Sequence, residues 1–75
     1  MGLSEFDRRL LDCASRLPRQ VGARDEMIRA ELGVSSTRFF QRLNVLLDSA
    51  EALEYAPALV RRLQRVRSGR GVPGA

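Results

Sequence analysis

Residues 26–47 read Glu26-Met27-Ile28-Arg29-Ala30-Glu31-Leu32-Gly33-Val34-Ser35-Ser36-Thr37-Arg38-Phe39-Phe40-Gln41-Arg42-Leu43-Asn44-Val45-Leu46-Leu47. Met27, Ile28 and Leu32 stand at helical spacing. Asp25 and Glu26 precede them, where a helix dipole favours acids. A helix is therefore expected from about Ala23 to Leu32. Gly33 stands where a left-handed C-terminal cap is wanted, and the Ser35 hydroxyl can cap the helix that follows, to about Asp48. Only Gly33 and Val34 separate the first helix from the next cap, so the two helices must cross sharply.

This span resembles the helix-turn-helix of bacterial DNA-binding proteins. The element that carries the resemblance is Leu32-Gly33-Val34-Ser35, with Ile28 four residues before Leu32. Leu32 anchors the first helix, Gly33 allows the turn, Val34 plugs the space between helices and Ser35 caps the second. The match departs from the usual pattern at Arg29, where a small residue is common and Ala30 follows instead, and at Arg42, where an aliphatic residue is common. The resemblance implies that residues 23–48 form the motif and that its second helix enters a major groove.

At about 100° per residue, Phe39, Phe40, Leu43, Leu46 and Leu47 fall on one side of that helix and are expected in the core. Thr37, Arg38, Gln41, Arg42, Asn44, Val45 and Asp48 share the other side. Arg38 and Arg42 can fork onto guanine edges and Gln41 can pair with adenine. Ser36 and Thr37 suit a phosphate beside the helix N-terminus. Val45 is an apolar residue on a polar face and can meet a thymine methyl or a second protein chain. An ordinary solvated surface also carries arginines in this way, so the face alone does not decide the function.

On the N-terminal side, Leu3, Phe6, Leu10, Cys13, Ala14 and Leu17 recur at three- and four-residue steps behind a Ser4 cap, and Pro18 ends the segment. Cys13 lies on that apolar stripe and reads as a buried, inert thiol. On the C-terminal side, residues 49–55 read as a short helical turn. Pro57 fits the first position of a further helix through Ala58, Leu59, Val60 and Leu63, to about Val66. No strand pattern occurs. The expectation is an all-α, compact four-helix domain over residues 1–66, with residues 67–75 a short, disordered, basic Arg/Gly tail.

Charge is divided unevenly along the 75 residues. Residues 1–57 hold 8 Arg and 9 acids, a balance of −1, whereas residues 58–75 hold 5 Arg and no acid, a balance of +5, which together give the net +4. A block of like charge suits an anionic partner. Arg61, Arg62 and Arg65 are therefore expected on phosphates, with Arg67 and Arg70 adding to them. Asp48, Glu51 and Glu54 form an acidic stripe that must face away from a duplex or meet an Arg-bearing protein. All basic residues are Arg, with no Lys, which suggests a GC-rich genome.

Composition removes other classes. There is no His and only one Cys, so the usual general acid–base residue, a cysteine zinc site and a disulfide framework are all missing. An enzyme is not expected, nor a cofactor or metal. No apolar run is long enough to span a membrane, and the acidic start Ser4-Glu5-Phe6-Asp7 is unlike a signal peptide. A cytoplasmic, nucleoid-associated protein is the resulting expectation.

The stretch from Gly22 to Leu63 also resembles a family of small, uncharacterised actinobacterial proteins. Matching residues include Gly22-Ala23, Ile28-Arg29, Gly33, Ser35, Thr37-Arg38-Phe39-Phe40-Gln41, Leu43-Asn44, Glu51-Ala52-Leu53, and Pro57 with Leu59-Val60-Arg61-Arg62-Leu63. The resemblance implies a helix-turn-helix-like domain and brings no activity. Two functions follow as expectations. One is a small DNA-binding protein, a transcriptional regulator or nucleoid component, on double-stranded DNA and as a homodimer. The other is a module that grips RNA polymerase, a sigma factor or another regulator through the same scaffold.

Overall fold

The computed structural model describes residues 2–70, with side chains to Arg67. The described residues form five helices: α1 (Glu5–Ala14), α2 (Val21–Leu32), α3 (Ser36–Leu46), α4 (Ala50–Tyr55) and α5 (Pro57–Arg70). None is long and apolar enough to cross a membrane. The fold is all-helical, as the patterning implies, but it has five helices where four are expected.

The caps explain the boundaries. The hydroxyls of Ser4, Ser35 and Ser49 each accept a hydrogen bond from the backbone N–H three residues on, at Asp7, Arg38 and Ala52. Each satisfies a donor that the first helical turn would otherwise leave unpaired. The cap at Ser49 turns the expected helical turn into a separate short helix, and Pro57 opens α5 immediately after it. α1 stops at Ala14, earlier than the approach of Pro18 suggests, and the Ser15 hydroxyl donates to the Asp12 carbonyl at 2.7 Å. α5 continues to Arg70, past the expected end near Val66. The rest of the expected tail, residues 71–75, lies outside the described residues.

Gly33 has φ 70° and ψ 20°, the left-handed geometry that a residue with a Cβ enters only at a penalty. Its N–H donates to the Arg29 carbonyl at 2.9 Å and closes α2. Three residues, 33–35, thus join α2 to α3, and Val34 is half-buried against the core.

The core draws on every helix. Leu10, Leu11, Ile28, Phe39, Leu43, Leu46, Leu47, Ala52, Leu59 and Val60 are buried, with Cys13 and Ala14. Each fully buried large side chain stabilises the fold by about 1.5–3 kcal/mol. Two residues depart from expectation. Phe6 is 38% exposed while Asp7 is buried, so α1 packs on a stripe of Asp7, Leu10, Leu11 and Ala14. Phe40, expected in the core, is 37% exposed; Phe39 fills the core alone and meets the Phe40 ring edge-on, centroids 5.0 Å apart. The molecule measures 37 × 34 × 18 Å.

Candidate nucleic-acid interface

The outer face of α3 starts one residue after the Ser35 cap. Thr37, Arg38, Gln41 and Val45 are all exposed on it, Val45 by 57%. Arg38, Gln41, Arg42 and Val45 line one shallow depression. These four expected site residues are thus brought together, on a helix whose N-terminus is fixed by a side-chain cap and whose inner face is anchored by Phe39, Leu43 and Leu46.

Arg42 differs from Arg38. Its Nε donates to Asp7 Oδ1 at 3.0 Å and its Nη2 donates to Asp7 Oδ2 at 2.8 Å. This two-point pair ties α3 to α1 across 35 residues of chain. The Arg42 side chain keeps about half its exposure, 46%, whereas that of Asp7 keeps 6%. The Arg42 hydrogen bonds hold the Asp7 carboxyl below its usual range, against the opposing effect of burial, and the carboxylate in turn raises Arg42. The Nε–Nη2 edge that would fork onto a guanine is therefore occupied. What Arg42 still offers outward is its Nη1 end.

Ser36 is also engaged. Its hydroxyl donates to Asp25 Oδ1 on α2, so the first residue of α3 cross-braces the turn. Arg61, Arg62 and Arg65 are exposed on α5, but they do not join the Arg38 depression. α5 meets α3 along another flank, where Gln64 Nε2 donates to the Leu47 carbonyl at 2.6 Å and Arg67 reaches Asn44 Oδ1 at 2.9 Å and Asp48 Oδ1 at 3.0 Å. On the helical wheel Asn44 and Leu47 lie about 110–170° from the Arg38–Val45 direction. The expected acidic stripe is divided as well. Asp48 is paired with Arg67, and Glu51 accepts from the Ser49 hydroxyl at 3.0 Å. Its carboxyl is lowered by the backbone N–H of Glu51 first and by Ser49 second.

Three features escaped sequence reading. Asp7 is an anchor; the signal was available, because Leu10, Leu11 and Ala14 follow it at three, four and seven residues. Arg24 lies over the Phe40 ring, its guanidinium carbon 5.3 Å from the centroid, with Nε buried and without a partner. The third is an apolar groove between α3 and α5.

Comparison with protein families gives one finding: the profile described as "Protein of unknown function (DUF3263)" matches residues 2–72. Neither curated proteins nor solved structures yield a match.

Proposed function

The chain belongs to the DUF3263 family of proteins of unknown function, and from its own surface we propose that it is a small DNA-binding protein built on a helix-turn-helix. The observation that carries this reading is the exposed Arg38–Gln41–Val45 face on a capped helix, presented by a three-residue turn through left-handed Gly33. In this reading α3 lies in the major groove. Arg38 forks onto a guanine, Gln41 pairs with an adenine and Val45 meets a thymine methyl. Thr37 and the outward end of Arg42 contact phosphate. Arg61, Arg62 and Arg65 add non-specific attraction, which suits a regulator or nucleoid component in the cytoplasm. One copy reads few base pairs, so two copies on one duplex are part of the proposal.

Fluorescence anisotropy on a random-sequence duplex at low and moderate salt tests it. Because Arg42 also holds α1, the variants are Arg38→Ala with Gln41→Ala, and separately Arg61→Ala with Arg65→Ala. The wild type is expected to bind with a salt slope of about −0.9 for each phosphate contacted on B-DNA. The α3 pair is expected to weaken binding and the α5 pair to flatten the slope. No binding at low salt would remove the proposal. A second reading, a module that grips a transcription protein through the same α3 face, is favoured by exposed Val45 and by the engagement of Arg42 with Asp7. Under it the α3 variants leave DNA affinity unchanged.

A further inference from the structure

The groove between α3 and α5 is floored and walled by Phe40, Leu43, Leu47, Leu63 and Val66, closed at one end by Asn44 and Arg67, with a volume of about 310 Å³. Two of its walls are large apolar side chains left in solvent: Phe40 is 37% and Val66 51% exposed. Apolar surface of this kind, open to water beside charged side chains, can seat the apolar side chains of a partner.

Its rim is mostly basic. Arg24 lies over Phe40 on one side. Arg62 precedes Val66 by four residues and so stands beside it on α5, exposed. Arg67 closes the end and is already shared with Asn44 and Asp48. Asp48 is the acid at this edge, and it is the one that Arg67 neutralises. Residues 58–67 contain four arginines and no carboxylate.

We propose that this groove docks a short, acidic, amphipathic helix of a partner protein. From Phe40 to Leu47 the groove runs two helical turns, about 10 Å, which accommodates two or three anchors at i, i+3 or i+4, and i+7 of an incoming helix. Acidic side chains flanking those anchors meet Arg24 and Arg62. A second copy of this chain fits less well. It would bring the basic α5 against the basic rim, and two turns of groove fall far short of the ~800 Å² per partner that a stable dimer needs. The site is separate from the Arg38 face: on the α3 wheel, Phe40 and Leu47 lie about 150–170° from the Arg38–Val45 direction. Arg62 alone is shared with the phosphate contacts of the DNA reading; the groove does not depend on that reading, and Val66→Glu tests it apart from DNA binding.

The test is a display library of helical peptides with apolar residues at i, i+3, i+4 and i+7 and the remaining positions drawn equally from acidic and basic residues, selected on the full chain. Acidic peptides are expected to be enriched. Their affinity should fall at least tenfold with Val66→Glu or Arg62→Glu, and stay within twofold of wild type with Val45→Glu or with Arg38→Ala, Gln41→Ala. Val66 is half in solvent, so Val66→Glu is expected to melt as the wild type does, and this is checked alongside. Three outcomes would overturn the proposal: no enrichment, enrichment of basic peptides, or binding that Val66→Glu leaves unchanged. Sedimentation showing a concentration-dependent dimer that Val66→Glu abolishes would overturn it in favour of self-association.

Discussion

Asp7 and Arg42 are a buried acid and a half-exposed base that hold each other, and their energetics are asymmetric. Removing Arg42 leaves the carboxylate in the core without its two strongest donors, which costs about 1–3 kcal/mol. Removing the charge of Asp7 leaves Arg42 able to turn back to water. Arg42→Ala is therefore expected to destabilise the protein more than Asp7→Asn does, and to lower Tm by roughly 4–8 °C for each kcal/mol lost. The double variant Asp7→Asn, Arg42→Ala should be clearly less destabilised than the sum of the singles, because the two share one interaction. Denaturant melts of the four proteins check this; additive losses would show that the pair is not coupled. The same contact shows why sequence reading placed Arg42 on the base-reading face. Helical periodicity assigned its direction correctly, but its partner lies 35 residues away in sequence, and periodicity carries no information about a partner on another helix.

Between α2 and α3 the reverse holds, since everything the turn needs is local. Gly33 supplies the left-handed residue, Ser35 the cap, and Val34 the half-buried side chain between them. These follow from residue chemistry within a few positions, and for that reason the connection was legible. A Cβ built at Gly33 meets no atom within 4 Å, so a substitution there is penalised by the backbone alone. Gly33→Ala is expected to cost about 1–2 kcal/mol. Gly33→Asn should cost less, because Asn tolerates the left-handed region. Equilibrium unfolding in urea distinguishes them; an Ala variant as stable as the wild type would mean that α2 closes without a left-handed residue. The α3/α5 groove, by contrast, could not be read in advance. It depends on how far α5 stands from α3, across a flank that Gln64 and Arg67 bridge to the carbonyl end of α3 from 17 and 23 residues away in sequence.

At the scale of the molecule, three titratable contacts tie α1 and the segment just after it to the other helices. Asp7 pairs with Arg42 on α3, and Tyr55 on α4 donates to the Asp12 carboxylate at 3.1 Å. Arg16, beyond α1, forks onto Glu31 of α2 at 2.7 and 3.0 Å. The Arg42 hydrogen bonds lower Asp7, and the Arg16 hydrogen bonds lower Glu31. A lowered carboxyl contributes stability that is present above its unfolded value, about 4, and is lost as pH falls through its folded value. Tyr55 is raised, chiefly by its hydrogen bond to Asp12. Its contribution is present below its unfolded value, about 10, and is lost as pH rises through its folded one. Burial likewise raises the Cys13 thiol, whose contribution is lost as pH rises past its unfolded value, about 8.5. Tm is therefore expected to be flat from about pH 5 to 8 and to fall on both sides, as α1 loosens from α3 and α2 in acid and, with Cys13 adding to the loss, from α4 in alkali. Asp7→Asn should shrink the acid fall and Tyr55→Phe the alkaline one, each leaving the other limb in place. Thermal melts followed by circular dichroism between pH 2.5 and 11 measure both limbs. An acid limb unchanged in Asp7→Asn would mean that the buried carboxylate is not what couples α1 to the helix carrying the exposed Arg38 face, and that exposed pairs such as Arg16 with Glu31 dominate instead.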